Sequence, residues 1–200
     1  MPDPQAPHPR SVKRITDPKA LRALAHPLRL SLLSLLRTEG PLTATKAAEL
    51  LGESSASASF HLRQLAKYGL VEEAGGGHGR ERPWQATAML TDVPEIADSP
   101  EFDAAAQLFR SIVLDGYMQT AARWLEVRAE EPIEWQRAAQ FNDVLLYLTA
   151  PELDSLAEQM RTLYDRYSER LTSPELRPDG SRLIQVIQMG LPIVDKKAPI

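Results

Sequence analysis

Ser54-Ser55-Ala56-Ser57-Ala58-Ser59-Phe60-His61-Leu62-Arg63-Gln64-Leu65-Ala66-Lys67-Tyr68-Gly69-Leu70-Val71 is the most informative segment of this 200-residue chain. Wound at about 100° per residue, it places Ala58, Leu62 and Leu65 on one narrow apolar strip. Ala56, Ser57, Phe60, Arg63, Gln64 and Lys67 point the opposite way, with Ser59 and His61 on the flanks. That outer face contains no acid. Upstream, Thr43 can cap a helix over Ala44–Leu51, whose expected buried face is Ala47, Leu50 and Leu51. Gly52 suits the left-handed residue that ends such a helix. Only Gly52-Glu53-Ser54 then separate the two helices, and two short helices joined by a tight glycine-containing turn form a helix-turn-helix.

Two more helix starts precede this pair. Asp17-Pro18 offers a capping carboxylate and a proline at the first helical position, predicting a short helix to about Ala25. His26-Pro27 restarts a helix, with Leu28, Leu32, Leu35 and Leu36 on one side and Leu30 and Leu33 widening it, until Gly40-Pro41. After Gly69, Leu70–Ala74 reads as a strand, Gly75–Arg82 as a glycine-rich tip, and Pro83–Ala88 as the returning strand anchored by Trp84. Helix, helix, turn, helix and hairpin make a winged helix. The expected fold class is mainly α: an N-terminal winged helix-turn-helix with a β-hairpin wing, then an α+β C-terminal region with a long helix.

The chemistry of the outer face suits duplex DNA. The N-terminal end of a recognition helix enters a major groove deepest, and here it carries small hydroxyl side chains. Serine hydroxyls donate or accept, Gln64 can read adenine, and Phe60 can meet a thymine methyl. Arg63 and Lys67 can reach phosphates, which fix position without reading sequence. The candidate DNA-contacting residues are Thr43, Ser54, Ser55, Ala56, Ser57, Ser59, Phe60, His61, Arg63, Gln64 and Lys67. His78, Arg80 and Arg82 in the wing join them, since a mobile cationic loop can insert arginine into a minor groove. Charge points the same way. Residues 1–90 carry 12 Lys+Arg against 8 Asp+Glu, whereas residues 91–200 carry 11 against 19. A basic half joined to an acidic half hints at a nucleic-acid module with a second module behind it.

Ala23-Leu24-Ala25-His26-Pro27-Leu28-Arg29-Leu30, Ser59–Leu65 and Gly69-Leu70-Val71 together resemble the ArsR-type winged-helix bacterial transcription regulators. Gly79-Arg80-Glu81-Arg82-Pro83-Trp84 resembles the wing of their longer relatives. The resemblance covers about residues 17–90. It implies that 55–67 is the recognition helix, that 75–82 is the wing, and that the protein is a homodimer on a pseudo-palindromic operator. Where the family often has histidine, this sequence has Phe60, so its base preference differs. The many alanines, and arginine in excess of lysine, suggest a high-GC bacterial source. Many family members sense metals, and this sequence departs from them. It has no cysteine, and its four histidines (8, 26, 61, 78) all precede residue 90. Carboxylates alone suit only hard cations, so neither metal nor cofactor is expected.

The remainder divides simply. Residues 1–15, with four prolines in the first nine positions, read as a disordered arm; 16–92 as the winged-helix domain; 93–200 as a dimerisation and effector-binding domain. Ser99 to about Glu130 predicts the long helix, with Phe102, Ala105, Phe109, Ile112, Val113 and Leu125 on its apolar face. Phe141–Leu148 and Leu183–Met189 predict strands. Thr149-Ala150-Pro151-Glu152 predicts a capping box opening a helix with Leu153, Leu156, Met160, Leu163 and Tyr167 along one seam, expected to pack on the domain's own sheet. Trp124, Tyr147, Met160 and Tyr164 are the candidate lining of a small-molecule pocket. No phosphate-binding loop, nucleophile elbow, His-Glu-x-x-His or dinucleotide fingerprint occurs, so no catalysis is expected. The lack of cysteine, of a signal-peptide core and of any run of about 18 apolar residues predicts a cytoplasmic protein without membrane contact. A winged-helix protein-interaction module that never touches DNA is the competing reading.

Overall fold

A computed structural model describes residues 11–75, 82–96 and 99–194. Strand β1 (Val12–Arg14) leads into α1 (Pro18–Leu24), α2 (Pro27–Thr38), α3 (Ala44–Leu51) and α4 (Ser55–Lys67). Strands β2 (Val71–Glu73), β3 (Trp84–Ala86) and β4 (Leu90–Asp92) follow, then α5 (Pro100–Val127), α6 (Ile133–Ala138), α7 (Ala150–Asp165) and α8 (Glu169–Thr172). The helix starts are those the capping residues dictate. The Asp17 carboxylate accepts from Lys19 N–H at 2.9 Å, and both α1 and α2 have proline in their first turn.

The hairpin pairs β2 with β3 antiparallel, Val71 opposite Ala86 and Glu73 opposite Trp84. Leu42, just before α3, bridges to Trp84 from the other side, so Trp84 anchors the wing as its size suggests. The sequence did not announce β4. It pairs parallel with β1, Val12 opposite Leu90, and Ile15 behind β1 is buried. Residues 11–15 therefore do not belong to a disordered arm; residues 1–10 of that arm lie outside the described residues. The strand forms because β4 lies beside it, and pairing satisfies backbone groups a free arm would leave to water.

The core is built from Leu21, Leu24, Leu32, Leu33, Leu36, Ala47, Ala58, Leu62, Leu65 and Leu70, closed on one side by Phe102, Ala105 and Ala106. The first turns of α5 thus pack on α1 and share this core, which reaches past residue 92. Arg37 locks the end of α2 to the strand that follows. Its Nε donates to the Ala88 carbonyl at 2.9 Å and its Nη2 to Thr91 Oγ1 at 2.8 Å. Burial lowers its pKa to about 10.

Three apolar assignments change. On α3 the buried residues are Ala47 and Ala48, while Leu50 is exposed: the helix is short and tilts its small face into α4. Phe141–Leu148 and Leu183–Met189 carry no ladder, so among the described residues the C-terminal region has helices and no strand. A β-rich stretch becomes a strand only when another edge lies beside it, and one chain places none there. The seam of α7 consequently has no sheet beneath it. Its cap is as read: Thr149 Oγ1 accepts from Glu152 N–H, and the Glu152 carboxylate accepts from Thr149 N–H at 2.7 Å. That second bond holds the Glu152 carboxyl below its ordinary pKa. Among the described residues no helix is long and apolar enough to cross a membrane.

Candidate nucleic-acid interface

The turn between α3 and α4 is fixed by backbone geometry. Gly52 has φ +67°, and its N–H donates to Glu49 O while Glu53 N–H reaches back to Ala48 O. Ser54 then caps α4, its Oγ accepting from Ser57 N–H at 3.1 Å. Thr43 does the same for α3 through Lys46 N–H at 3.2 Å. Thr43 and Ser54 are therefore engaged as caps, which leaves only their hydroxyl protons for another acceptor.

The buried strip of α4 is Ala58, Leu62 and Leu65, so the opposite side is the free one. Ser55, Ala56, Phe60, Arg63 and Lys67 are exposed, and Ser57, Ser59, His61 and Gln64 are half-buried. Phe60 keeps 50% of its surface in solvent although it is the largest apolar side chain on the helix. Arg63 Nη1 donates to Ser59 Oγ at 2.6 Å, which orients the guanidinium along the helix. The Lys67 ammonium stands 5.8 Å from the Tyr68 ring centroid.

His61 turns away from that face. Its ring lies 4.5 Å from the ring of His26, the N-cap of α2. His26 Nδ1 accepts from Leu28 N–H at 3.2 Å, and Arg29 Nη1 lies 3.4 Å from His61 Nδ1. A backbone N–H and a guanidinium can only donate, so His26 Nδ1 accepts from Leu28 and His61 Nδ1 from Arg29, and both rings suit the neutral form. Burial lowers the His26 pKa first, then Arg29 and His61, with Glu53 opposing. Burial and then Arg29 lower that of His61, again against Glu53. His61 thus joins α4 to α2.

The same flank of α4 forms a cleft that the sequence reading missed. Lys19, Arg22, Ala23, Arg29, Gln64 and Tyr68 line it. The Arg22 guanidinium pairs with Glu101 at 3.0 Å, and Arg29 sits in the Ala23–Leu30 stretch on which the family resemblance rests. Lys19 is exposed. Helical spacing on α4 alone could not find cations supplied by α1 and α2. Lys13 is another omission: its Nζ donates to Gly69 O at 2.9 Å and ties β1 to the end of α4.

In the wing, Arg82 is bound to Glu73 across the hairpin base at 2.8 Å, and that pairing raises its pKa. His78 and Arg80 lie outside the described residues. Of the four residues expected to line a ligand pocket, Tyr147 is fully exposed and encloses nothing within one chain. Tyr164 donates to Gln188 Oε1 at 3.3 Å, and Trp124 and Met160 are half-buried. Among the described residues no three His, Asp or Glu side chains converge as a metal site.

Residues 24–74 match the family model for a helix-turn-helix domain. The chain carries a helix-turn-helix domain. The match runs from the end of α1 through β2 and covers about a quarter of the chain. The helix-turn-helix domain supports DNA binding and a regulatory role in general terms. No curated protein matches the chain.

Proposed function

We propose that this protein is a sequence-specific DNA-binding transcriptional regulator of ArsR-like type, acting as a homodimer on a pseudo-palindromic operator. The observation that carries the reading is the outer face of α4. It is free of acids, serine-led at its N-terminal end, and keeps Phe60 in solvent beside Arg63 and Lys67. Helical spacing sets Phe60 opposite the buried Ala58, Leu62 and Leu65, where its ring is free to meet a thymine methyl. Ser57 and Phe60 read base edges, Arg63 and Lys67 hold phosphates, and the cations of the α1–α4 cleft extend the phosphate track. Two copies suit such an operator, because each recognition helix of a dimeric helix-turn-helix protein reads one half-site, and half-sites lie about one helical turn apart.

Selection of bound duplexes from random sequence, followed by a salt titration on the winner, tests this. Affinity falls steeply as salt rises. Arg63→Ala and Lys67→Ala weaken binding to every sequence, each reducing the salt slope by about 1. Ser57→Ala and Phe60→Ala change base preference, by about 1–3 kcal/mol per affected pair. If all four variants bind as the parent does, the assigned face is wrong.

A further inference from the structure

Two segments of the C-terminal region carry a liability that a single chain does not resolve. Residues 139–149 and 181–194 run without helix, turn or bend. Among the described residues no backbone group of 141–148 or 182–194 makes a backbone hydrogen bond. Their side chains are strongly apolar and exposed, Val144 at 74% and Val194 at 97%. Residues 183–194 contain no charged side chain, and 141–148 contain one, Asp143. Free edges are ordinarily blunted by lysine, proline or a bulge; 141–148 has neither lysine nor proline.

The second segment is held in position nevertheless. At its start Arg182 pairs with Glu131 at 2.6 Å and lies over the Trp135 ring, 4.9 Å from its centroid. Further on, Gln188 accepts from Tyr164. Gly190 passes so close to α7 that a Cβ there would come within 2.9 Å of Leu153 Cδ1. An edge fixed at three points, apolar and unpaired, is prepared for a strand to be laid beside it.

We infer that these two segments are the contact between two copies of the chain: 141–148 of each copy pairs as a strand with 183–189 of the other. This deepens the two-copy reading above and rests on it for the identity of the partner. Two arguments favour a second copy. The thirteen exposed apolar residues of the two segments present about 500–1,100 Å², taking about 60–120 Å² per fully exposed aliphatic side chain and scaling by their exposures. That range spans the ~800 Å² per partner of a standard stable interface. A two-fold axis also satisfies both segments at once, since segment i meeting j implies j meeting i. A different partner would have to supply two strands of its own.

Light scattering on the full chain at about 10 µM is expected to give twice 22.2 kDa. Val144→Asp and Val186→Asp, both at exposed sites, each reduce the mass to 22.2 kDa with unchanged far-ultraviolet circular dichroism. The chain has no native cysteine, so cross-linking is clean. Leu145→Cys or Leu146→Cys chains, co-expressed with Val186→Cys or Ile187→Cys chains, form a mixed disulfide, whichever face of each strand is tested. That readout stands even if an aspartate variant fails to fold. A parent mass of 22.2 kDa overturns the inference and leaves the surface to a different partner. A two-chain mass that both aspartates leave unmoved, with no mixed disulfide, places the dimer contact elsewhere and also overturns it. Failure of the DNA reading looks different: the two-chain mass and the mixed disulfide persist while no duplex is selected.

Discussion

At the scale of the residue, His26 and His61 show how a motif is used twice. His26 caps α2 through Nδ1, and its ring lies tilted against that of His61, a candidate DNA-facing residue of α4. Both pKa values are lowered, chiefly by burial and then by Arg29. The folded chain therefore binds fewer protons than the unfolded chain as pH falls through the ordinary histidine value near 6.5. Stability contributed by the neutral rings is full above that value and is lost as pH falls below it. His26→Asn keeps a capping acceptor and removes one titrating ring. Urea titrations at pH 7.5 and 5.5 are expected to show a smaller loss for this variant than for the parent; an equal loss would sink the assignment. The positions of Phe60, Arg63 and Lys67 were legible because helical spacing alone sends them outward. The direction of His61 was not, because its partner is 35 residues away in sequence.

At the scale of the element, α4 is defined as much by its ends as by its faces. Gly69 has φ +64°, its N–H donates to Ala66 O, and Leu70 N–H reaches Leu65 O. The Gly69 carbonyl accepts from both Lys13 Nζ at 2.9 Å and Thr87 Oγ1 at 2.7 Å. Gly69→Ala forces a side chain into the left-handed region, at about 1–2 kcal/mol, and brings its Cβ to 3.0 Å from Lys13 Nζ. A lowered denaturation midpoint is expected, together with weaker DNA binding if the end of α4 shifts. An unchanged midpoint would show that this clamp does not position the helix. Caps, prolines and glycines made the helices readable, because each acts within four residues. Strands were less readable in both directions. The strand Val12–Arg14 was missed because its partner, Leu90–Asp92, lies far along the chain. Phe141–Leu148 and Leu183–Met189 were expected and do not pair within the chain, since β-propensity describes a fit to a neighbour.

At the scale of the whole molecule, the buried core ends at Ala106, and no described residue beyond it has a buried side chain. A chain ended after Ala138 is expected to unfold cooperatively with a midpoint independent of protein concentration. The full chain's midpoint rises with concentration if two copies associate through the C-terminal segments; equal concentration dependence in both would place association in the retained part. What the sequence by itself determined is whatever depends on near neighbours: the four helices and hairpin of the N-terminal module, the glycine-built turn, and the acid-free outer face of α4. What only tertiary structure decided depends on residues far apart: the β1–β4 pairing, the His26–His61 contact, the α1–α4 cleft and the unpaired C-terminal segments. The physical reason is that helical hydrogen bonds and caps close within a few residues, whereas a sheet edge, a cleft or a ring-to-ring contact requires a second surface whose position the fold alone supplies.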